Sequence, residues 1–231
     1  MVEKSACMKL LMHCMYYTTK TEEKLSQSAI IMLMKVAILG GSFDPPHIGH
    51  ALAALQIKEI LNLDQVWLMP CFIHPFGKKL SDANHRLSMA KCLENTNIKV
   101  SDFELKNKKV SYTIDTLNSL SQKYRNDIFY WILSSEDLEN FQKWKNWQEI
   151  IKKYNLIIFP RRPQASLKEK IKKCLNLESI PDNITVISLD KLVTTGISST
   201  IIRERVRKNL PITYMVPEKI EQFILANKLY K

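Results

Sequence analysis

The sequence predicts an α/β fold with a doubly wound parallel sheet, and three observations support this prediction. Short apolar runs typical of buried parallel strands alternate with longer segments of helical periodicity. Two glycines directly follow the first apolar run, as in a strand-to-helix turn that a ligand approaches closely. The chain has 231 residues, of which 45% are hydrophobic and 25% charged, as expected for an ordinary globular domain.

Six apolar runs are the predicted strands, and segments with apolar residues at helical spacing separate them. The strands are predicted at residues 35–39, 65–69, 98–100, 128–133, 156–159 and 184–189. The helices are predicted at residues 48–61, 82–95, 113–124, 147–154, 166–174, 198–208 and 217–227. Strands that alternate with helices indicate βαβ units, whose ligands bind at the carboxyl ends of the strands.

The composition favours an anionic partner and excludes membrane-spanning and fibrous proteins. Thirty-four basic against 23 acidic residues give a net charge of +11, which suits a nucleotide, a nucleic acid or a lipid surface. No stretch approaches the roughly 18 apolar residues of a membrane span. We expect no membrane partner. The five cysteines include no CxxC pair and fit neither a disulfide framework nor a zinc site. We therefore expect a cytoplasmic protein with reduced thiols.

Residues 1–33 differ from the rest of the chain. They hold five of the nine methionines and a polar tract without periodicity, and a strand begins directly after Met34. We therefore expect a poorly ordered N-terminal extension at residues 1–33 and one domain at residues 34–231.

The first strand-to-helix turn, at residues 40–50, reads GGSFDPPHIGH. Gly40 and Gly41 allow a tight turn and a close approach by a ligand. Ser42 and the free amides around it can donate hydrogen bonds to phosphate oxygens, and the following helix directs its positive end to the same place. The turn is therefore a candidate phosphate-binding site.

Two histidines in this turn are candidates for chemistry. His47 and His50 lie three residues apart, so both rings face one side of the helix start. Two imidazoles there suit the stabilisation of phosphate charge in a transition state, without a covalent bond. The alternatives are a purely structural turn and a metal site, for which Asp44 is the only nearby acid. No cysteine or acidic cluster completes a ligand set, so no protein metal site is expected.

The turn resembles the (H/T)xGH signature of the nucleotidyltransferase superfamily, which includes adenylyltransferases, cytidylyltransferases and class I aminoacyl-tRNA synthetases. Its longer form resembles the opening motif of bacterial nicotinate-nucleotide adenylyltransferases, and the resemblance covers residues 34–231. It implies a Rossmann-like nucleotidyltransferase fold with C-terminal helices, and a catalytic role for His47 and His50. The turn residues that it implies in ATP binding are Gly40, Gly41, Ser42, Phe43, His47 and His50.

A second motif, GISSTIIRER, occupies residues 196–205. Hydroxyls and free amides at a helix start either cap the helix or bind an anion, and Arg203 can return to grip that anion. An ordinary serine N-cap on a basic helix is the alternative. The segment resembles the ISSTxIR motif with which the same superfamily binds ATP, which adds a catalytic role for Arg203. The residues implied in ATP binding here are Ile197, Ser198, Ser199, Thr200 and Arg203.

Three further segments resemble the same family and concern the second substrate. The SYTxxTL match at residues 111–117 implies that Tyr112 and Thr113 recognise the nicotinate group through their backbone. The FxxW match implies that Trp144 stacks on the pyridine ring, with packing in the core as the alternative. In the RRP match, Arg162 is the candidate to meet a carboxylate or phosphate, with a solvent-facing position as the alternative.

Two segments depart from the family pattern, both on the side of the mononucleotide. Where the family has Gly-x-Asp, this chain has Ser134 and Glu136, and Asp137 could take over the role of the carboxylate. Where the family has PPHK or PPHR, this chain reads IHPFGKK, so Lys78 is the candidate for the mononucleotide phosphate, with Lys79 as a rival and His74 as a helper. The predicted mononucleotide-binding residues are Ser42, Lys78, Tyr112, Thr113, Glu136, Trp144 and Arg162.

The expected reaction is attack by the phosphate of nicotinate mononucleotide on the α-phosphorus of ATP, giving nicotinate adenine dinucleotide, the precursor of NAD, and pyrophosphate. Mg²⁺ is expected to be carried with ATP. Nicotinamide mononucleotide or another phosphate acceptor, such as a pantetheine phosphate, is the alternative within the superfamily. A synthetase fragment would need a KMSKS-like segment, which the chain lacks. A basic nucleic-acid-binding module is the remote alternative, but no nucleic-acid motif occurs and no such partner is expected. The oligomeric state stays open, and a homo-oligomer is compatible with the sequence.

Overall fold

Six parallel strands form the centre of the fold in the computed structural model, which describes residues 33–163 and 166–231. Residues 1–32 of the predicted extension lie outside the described residues. The order of the extension and its boundary with the domain therefore stay predictions. The strands are β1 (Lys35–Gly41), β2 (Gln65–Pro70), β3 (Ile98–Val100), β4 (Ile128–Ser134), β5 (Asn155–Phe159) and β6 (Ile184–Val186).

The order of the strands across the sheet is β3-β2-β1-β4-β5-β6, and every neighbouring pair is parallel. The chain therefore winds in one direction from β1 to β3 and in the other from β4 to β6. The reversal places a crevice between the carboxyl ends of β1 and β4, which is where such sheets bind ligands. The predicted doubly wound sheet is confirmed.

Helices cover the sheet, and all seven predicted helices are present. The α-helices of the described residues are α1 (Ile48–Ile60), α2 (Ala83–Lys91), α3 (Phe103–Asn107), α4 (Thr113–Lys123), α5 (Trp147–Lys153), α6 (Leu167–Leu175), α7 (Ser199–Arg207) and α8 (Glu218–Ala226). Two 3₁₀ helices add to them, at Asp137–Lys143 and Leu189–Lys191. None of the helices in this part of the chain is long and apolar enough to cross a membrane.

The structure differs from the prediction mainly at element ends. Helix α2 ends at Lys91 rather than near Asn95, because the amides of residues 92–94 bond to carbonyls three residues back instead of four. The Asn95 side chain then accepts from the amides of Asn97 and Ile98 and forms the next turn. The helix α3 was not predicted, since five residues are too few to show a helical period.

The hydrophobic core lies on both faces of the sheet. In β1, Ala37 packs into one cluster, and its neighbours Val36 and Ile38 pack into the other. All three side chains are fully buried. Burial on both faces explains why this strand reads as a continuous apolar run rather than an alternating one.

Candidate active site

Two adjoining cavities open at the carboxyl ends of β1 and β4. The first has a volume of about 190 Å³ and the second about 830 Å³. Gly40 in β1, Ile132 in β4 and Asp137 after β4 line both of them. The two cavities therefore meet at the reversal point of the sheet, so two ligands bound in them would be neighbours.

Gly40 is required by the packing of Trp131 as well as by access for a ligand. A Cβ atom on Gly40 would lie 2.4 Å from Cζ2 of Trp131, which no real contact allows. At Gly41 the same atom would make only an ordinary contact, 3.5 Å from Cε2 of Phe43. Because Trp131 lines the second cavity, Gly40 lets this indole occupy the border between the two cavities.

His47 and His50 both line the first cavity, as predicted for a pair on one side of a helix start. Their ring centroids are 3.7 Å apart, and the His47 side chain is buried. Gly49 permits this arrangement, because a Cβ there would come within 3.0 Å of His47 Nδ1. The turn thus presents two imidazoles to one ligand position.

Both imidazoles are neutral near pH 7. Burial, with a smaller contribution from the charge of Arg161, lowers the pKa of His47 to about 4. Burial, then His47 and Arg161, also lowers the pKa of His50 well below its usual range. His50 Nδ1 accepts a hydrogen bond of 3.2 Å from the backbone N–H of His47, so the proton of His50 resides on Nε2. The pair can therefore donate N–H groups to a ligand without carrying charge.

The positive charge of the first cavity comes from Arg161, which was not among the predicted site residues. Arg161 lines this cavity together with Phe159, and its Nη2 donates to the carbonyl of Ile197 at 3.4 Å. Arg162, the predicted residue, is exposed and lines neither cavity. Phe159 ends β5, and Arg161 lies in the bend that follows it, at the carboxyl end of this strand beside the first cavity.

The second motif packs directly on the first. Ser199 Oγ donates to the carbonyl of Pro45 at 2.8 Å, and Arg203 Nη1 donates to the carbonyl of Asp44 at 2.6 Å. Ser198 caps α7, because its Oγ accepts from the N–H of Ile201 at 3.3 Å. The cap agrees with the alternative interpretation of the serines, and the two cross-contacts join the motifs into one unit.

Among the ATP-binding residues predicted in this motif, Ile197 lines the first cavity. The other four, Ser198, Ser199, Thr200 and Arg203, line neither cavity, and Thr200 Oγ1 accepts from Arg203 at 3.2 Å. Their hydroxyls and guanidinium are engaged within the protein, so their contact with ATP stays a prediction.

Phe43 and Asp44 hold the first turn in place. Phe43 is 1% exposed and packs in the core, so only its backbone can meet a ligand. The buried Asp44 carboxylate accepts hydrogen bonds from the Ser81 backbone N–H at 3.0 Å, from the Ser81 hydroxyl, and from the Tyr230 hydroxyl at 2.6 Å. Asp44 is therefore saturated by the protein itself.

The second cavity brings together most of the predicted mononucleotide-binding residues. They are Ser42, Lys78, Tyr112, Thr113, Glu136 and Trp144, with His74 beside them. Trp144 is half-buried and packs against Phe141 with 5.0 Å between ring centroids. One side of the indole thus joins the core while the side chain still borders the cavity, which reconciles the two interpretations of this residue.

The departure at residues 134–137 has a structural explanation. Asp137 Oδ2 accepts from the backbone N–H of Ser134 at 2.9 Å and from its hydroxyl at 2.7 Å, so one oxygen of Asp137 holds the turn after β4. Glu136 Oε2 is buried and has no hydrogen-bond partner among residues 33–163 and 166–231. A buried acceptor without a partner is costly, so Glu136 is the better candidate to accept a hydrogen bond from a ligand.

Three charged residues of the second cavity were missed by the sequence reasoning. Lys143 and Lys145 lie on either side of Trp144, and Lys145 Nζ is 2.9 Å from Asp115 Oδ2 and 4.8 Å from the ring centroid of Tyr112. Burial raises the pKa of Glu104, whose Oε1 accepts from the Thr116 hydroxyl at 2.7 Å. Only the position of the two lysines next to the FxxW match could have indicated them.

The two cavities could hold nucleotides, and the described residues offer no protein cage for a metal ion. No group of three or more histidine, cysteine, aspartate or glutamate side chains converges anywhere in residues 33–163 and 166–231. A divalent cation that keeps its waters and binds phosphate oxygens needs no such cage.

Comparison with known proteins places the chain in a family. A family model described as cytidylyltransferase-like matches residues 38–205. A protein of Caldicellulosiruptor saccharolyticus named probable nicotinate-nucleotide adenylyltransferase is 36% identical over 201 residues, which are 86% of this chain and 100% of that protein. The nicotinate-nucleotide adenylyltransferase of Bacillus subtilis is 31% identical over 203 residues, again 86% of this chain and 100% of that protein.

Solved structures agree on the fold. A nicotinic acid mononucleotide adenylyltransferase of Plasmodium falciparum complexed with NaAD has a TM-score of 0.72 and 22% identity, covering 85% of this chain and 97% of that one. The same enzyme complexed with APC has a TM-score of 0.69. The Rossmann-like nucleotidyltransferase fold implied by the sequence motifs is thereby confirmed. The chain belongs to the cytidylyltransferase-like family and, within it, to the nicotinate-nucleotide adenylyltransferases.

Proposed function

We propose that the protein transfers the adenylyl group of ATP to nicotinate mononucleotide, giving nicotinate adenine dinucleotide and pyrophosphate. The observation that carries this proposal is the pair of cavities that meet at Gly40, one lined by His47 and His50 and the other by Lys78 and Trp144. A transfer between two nucleotides needs two such sites in contact. The names of the relatives supply the identity of the substrates.

On the ATP side, positioning and charge stabilisation are sufficient for this reaction. Both reactants are phosphates, so neither a strong base nor a covalent nucleophile is required. His47 and His50, neutral in the free protein, would donate N–H groups to the triphosphate, and Arg161 would supply positive charge beside them. The approach of a polyanion favours the protonated imidazole, so ATP binding should raise the pKa values of both rings.

On the acceptor side, an aromatic ring and cationic groups suit a pyridine mononucleotide. Trp144 borders the second cavity and would stack on the pyridine ring. Lys78 would meet the phosphate, and the backbone of Tyr112 and Thr113 would meet the nicotinate carboxylate. The free oxygen of Glu136 can accept from a ribose hydroxyl or from a carboxamide, so nicotinamide mononucleotide is the second candidate acceptor.

The remaining expectations belong to the same proposal. Mg²⁺ would arrive with ATP as part of the substrate and bridge its phosphate oxygens, in keeping with a family that uses a divalent metal with ATP. The cytoplasmic location and the absence of a nucleic-acid partner stay predictions from the sequence. The oligomeric state stays open.

Pyrophosphate release from ATP and Mg²⁺ tests the proposal, with nicotinate and nicotinamide mononucleotide compared side by side. A strong preference for the nicotinate form is expected. Equal rates would indicate a dual-specificity enzyme. Release with neither acceptor would contradict the proposal and require a search among other phosphate acceptors.

A further inference from the structure

Arg86 is a buried cation with no part in the proposed adenylyl transfer. It lies in α2 and is 1% exposed. Its guanidinium donates hydrogen bonds of 2.6–3.1 Å to the backbone carbonyls of Ser42, Cys71, Phe72 and Ser81. Within residues 33–163 and 166–231, no carboxylate lies within 4.0 Å of it. A buried charge without a counter-ion is costly, so this arrangement calls for an explanation.

Two of the four carbonyls bracket the loop that carries Lys78. Phe72 and Ser81 flank residues 73–80, which we call the acceptor loop, and both its ends are thus bound to one guanidinium. His74 and Lys78 of this loop line the second cavity, although Lys78 itself is exposed. The position of Lys78 therefore depends on how the ends of the loop are held.

A third carbonyl belongs to the phosphate-binding turn. The Ser42 carbonyl accepts from Arg86 at 2.9 Å, and Ser42 lines the second cavity. Arg86 therefore ties both ends of the acceptor loop to this turn at the cavity.

We propose that Arg86 is a positioning residue for the acceptor phosphate: it holds both ends of the acceptor loop against the turn at Ser42, so that Lys78 reaches the phosphate bound in the second cavity. This inference rests on the proposed function, because it assigns that phosphate to the mononucleotide. The charge of Arg86 also reaches the cavity, since it contributes, after burial and Lys78, to the lowered pKa of His74.

The test is a steady-state comparison of Arg86→Lys with the wild-type enzyme, using ATP, Mg²⁺ and nicotinate mononucleotide. Lysine keeps the charge, but its single ammonium cannot span four carbonyls. The KM for the mononucleotide should rise at least about 10-fold, while the KM for ATP changes less than about 3-fold. Arg125→Lys, at an exposed arginine, is the matched control and should leave both constants unchanged.

A double variant separates positioning from general destabilisation. Because Arg86 acts through Lys78, adding Arg86→Lys to Lys78→Met should raise the KM for the mononucleotide by less than about 3-fold further. KM does not depend on the amount of folded enzyme, so these constants can be measured on a variant of low yield. Arg86→Gln, which removes the charge, should give the same split between the two KM values with a larger effect.

Two kinds of failure are distinguishable. If the wild-type enzyme forms no dinucleotide, the proposed function fails, and the role of Arg86 in it fails as well. If the wild-type enzyme is active but the variants raise both KM values equally, or if the effects of Arg86 and Lys78 are fully additive, then only the inference about Arg86 is overturned.

Discussion

Acid should destabilise the protein through His47, and the structure sets the size of the effect. The pKa of His47 is lowered from 6.5 to about 4 in the folded state, chiefly by burial. The unfolded chain therefore binds this proton more readily between those pH values. The contribution of neutral His47 to the free energy of unfolding is complete above about pH 6.5. It is lost as the pH falls toward 4. Between pH 7.5 and pH 5 the loss amounts to about 2 kcal/mol for a shift of this size.

The substitution His47→Asn removes the titrating group and should remove this part of the pH dependence. Urea unfolding at pH 7.5 and pH 5.0 gives the free energy of unfolding of both proteins at both values. The difference between the two pH values should be about 2 kcal/mol smaller in the variant than in the wild-type protein. Other titrating groups are common to both proteins, so they cancel in this comparison to first order.

Gln56→Asn serves as the control, because Gln56 also lines the first cavity but does not titrate. It should keep the pH dependence of the wild-type protein. An identical pH dependence in the wild-type protein and in His47→Asn would refute the reasoning, since it would mean that His47 is not held neutral by burial.

Three further predictions concern catalysis, binding and packing. His50→Ala should lower kcat about 10²–10³-fold, the usual cost of one transition-state donor, and His50→Gln should recover part of this loss. A folded His50→Ala variant with the kcat of the wild-type enzyme would exclude this role. Trp144→Ala should raise the KM for the mononucleotide at least about 10-fold and that for ATP less than about 2-fold, whereas equal effects would assign the indole to packing alone. Gly40→Ala should cost about 1–3 kcal/mol in urea unfolding because its Cβ meets Trp131, and Gly41→Ala should cost clearly less; equal costs would argue against the clash.

The strands and the first turn were predictable because their signals are local. A strand buried on both faces needs a continuous apolar run, and β1 shows one in Val36, Ala37 and Ile38. The two glycines and two histidines after it stand in fixed positions of one turn. Their arrangement at a helix start follows from spacing alone, so His47 and His50 were placed in the same cavity without knowledge of distant residues.

The supports of the site were not predictable, since they come from distant parts of the chain. The Tyr230 hydroxyl that binds Asp44 is 186 residues away from it. Nothing in the local sequence distinguishes Arg86 from another helical arginine, because the four carbonyls that it binds come together only in the fold. The choice of Arg162 over Arg161 was not settled by the sequence either, because it depends on the direction in which the chain leaves β5.

In the proposed reaction, an oxygen of the mononucleotide phosphate attacks the α-phosphorus of ATP. The most direct test uses nicotinate mononucleotide with ¹⁸O in the three non-bridging oxygens of its phosphate, together with ATP and Mg²⁺, and mass spectrometry of both products. The dinucleotide should keep all three labelled oxygens, and the pyrophosphate should carry no label. Labelled pyrophosphate, or AMP as the nucleotide product, would contradict it.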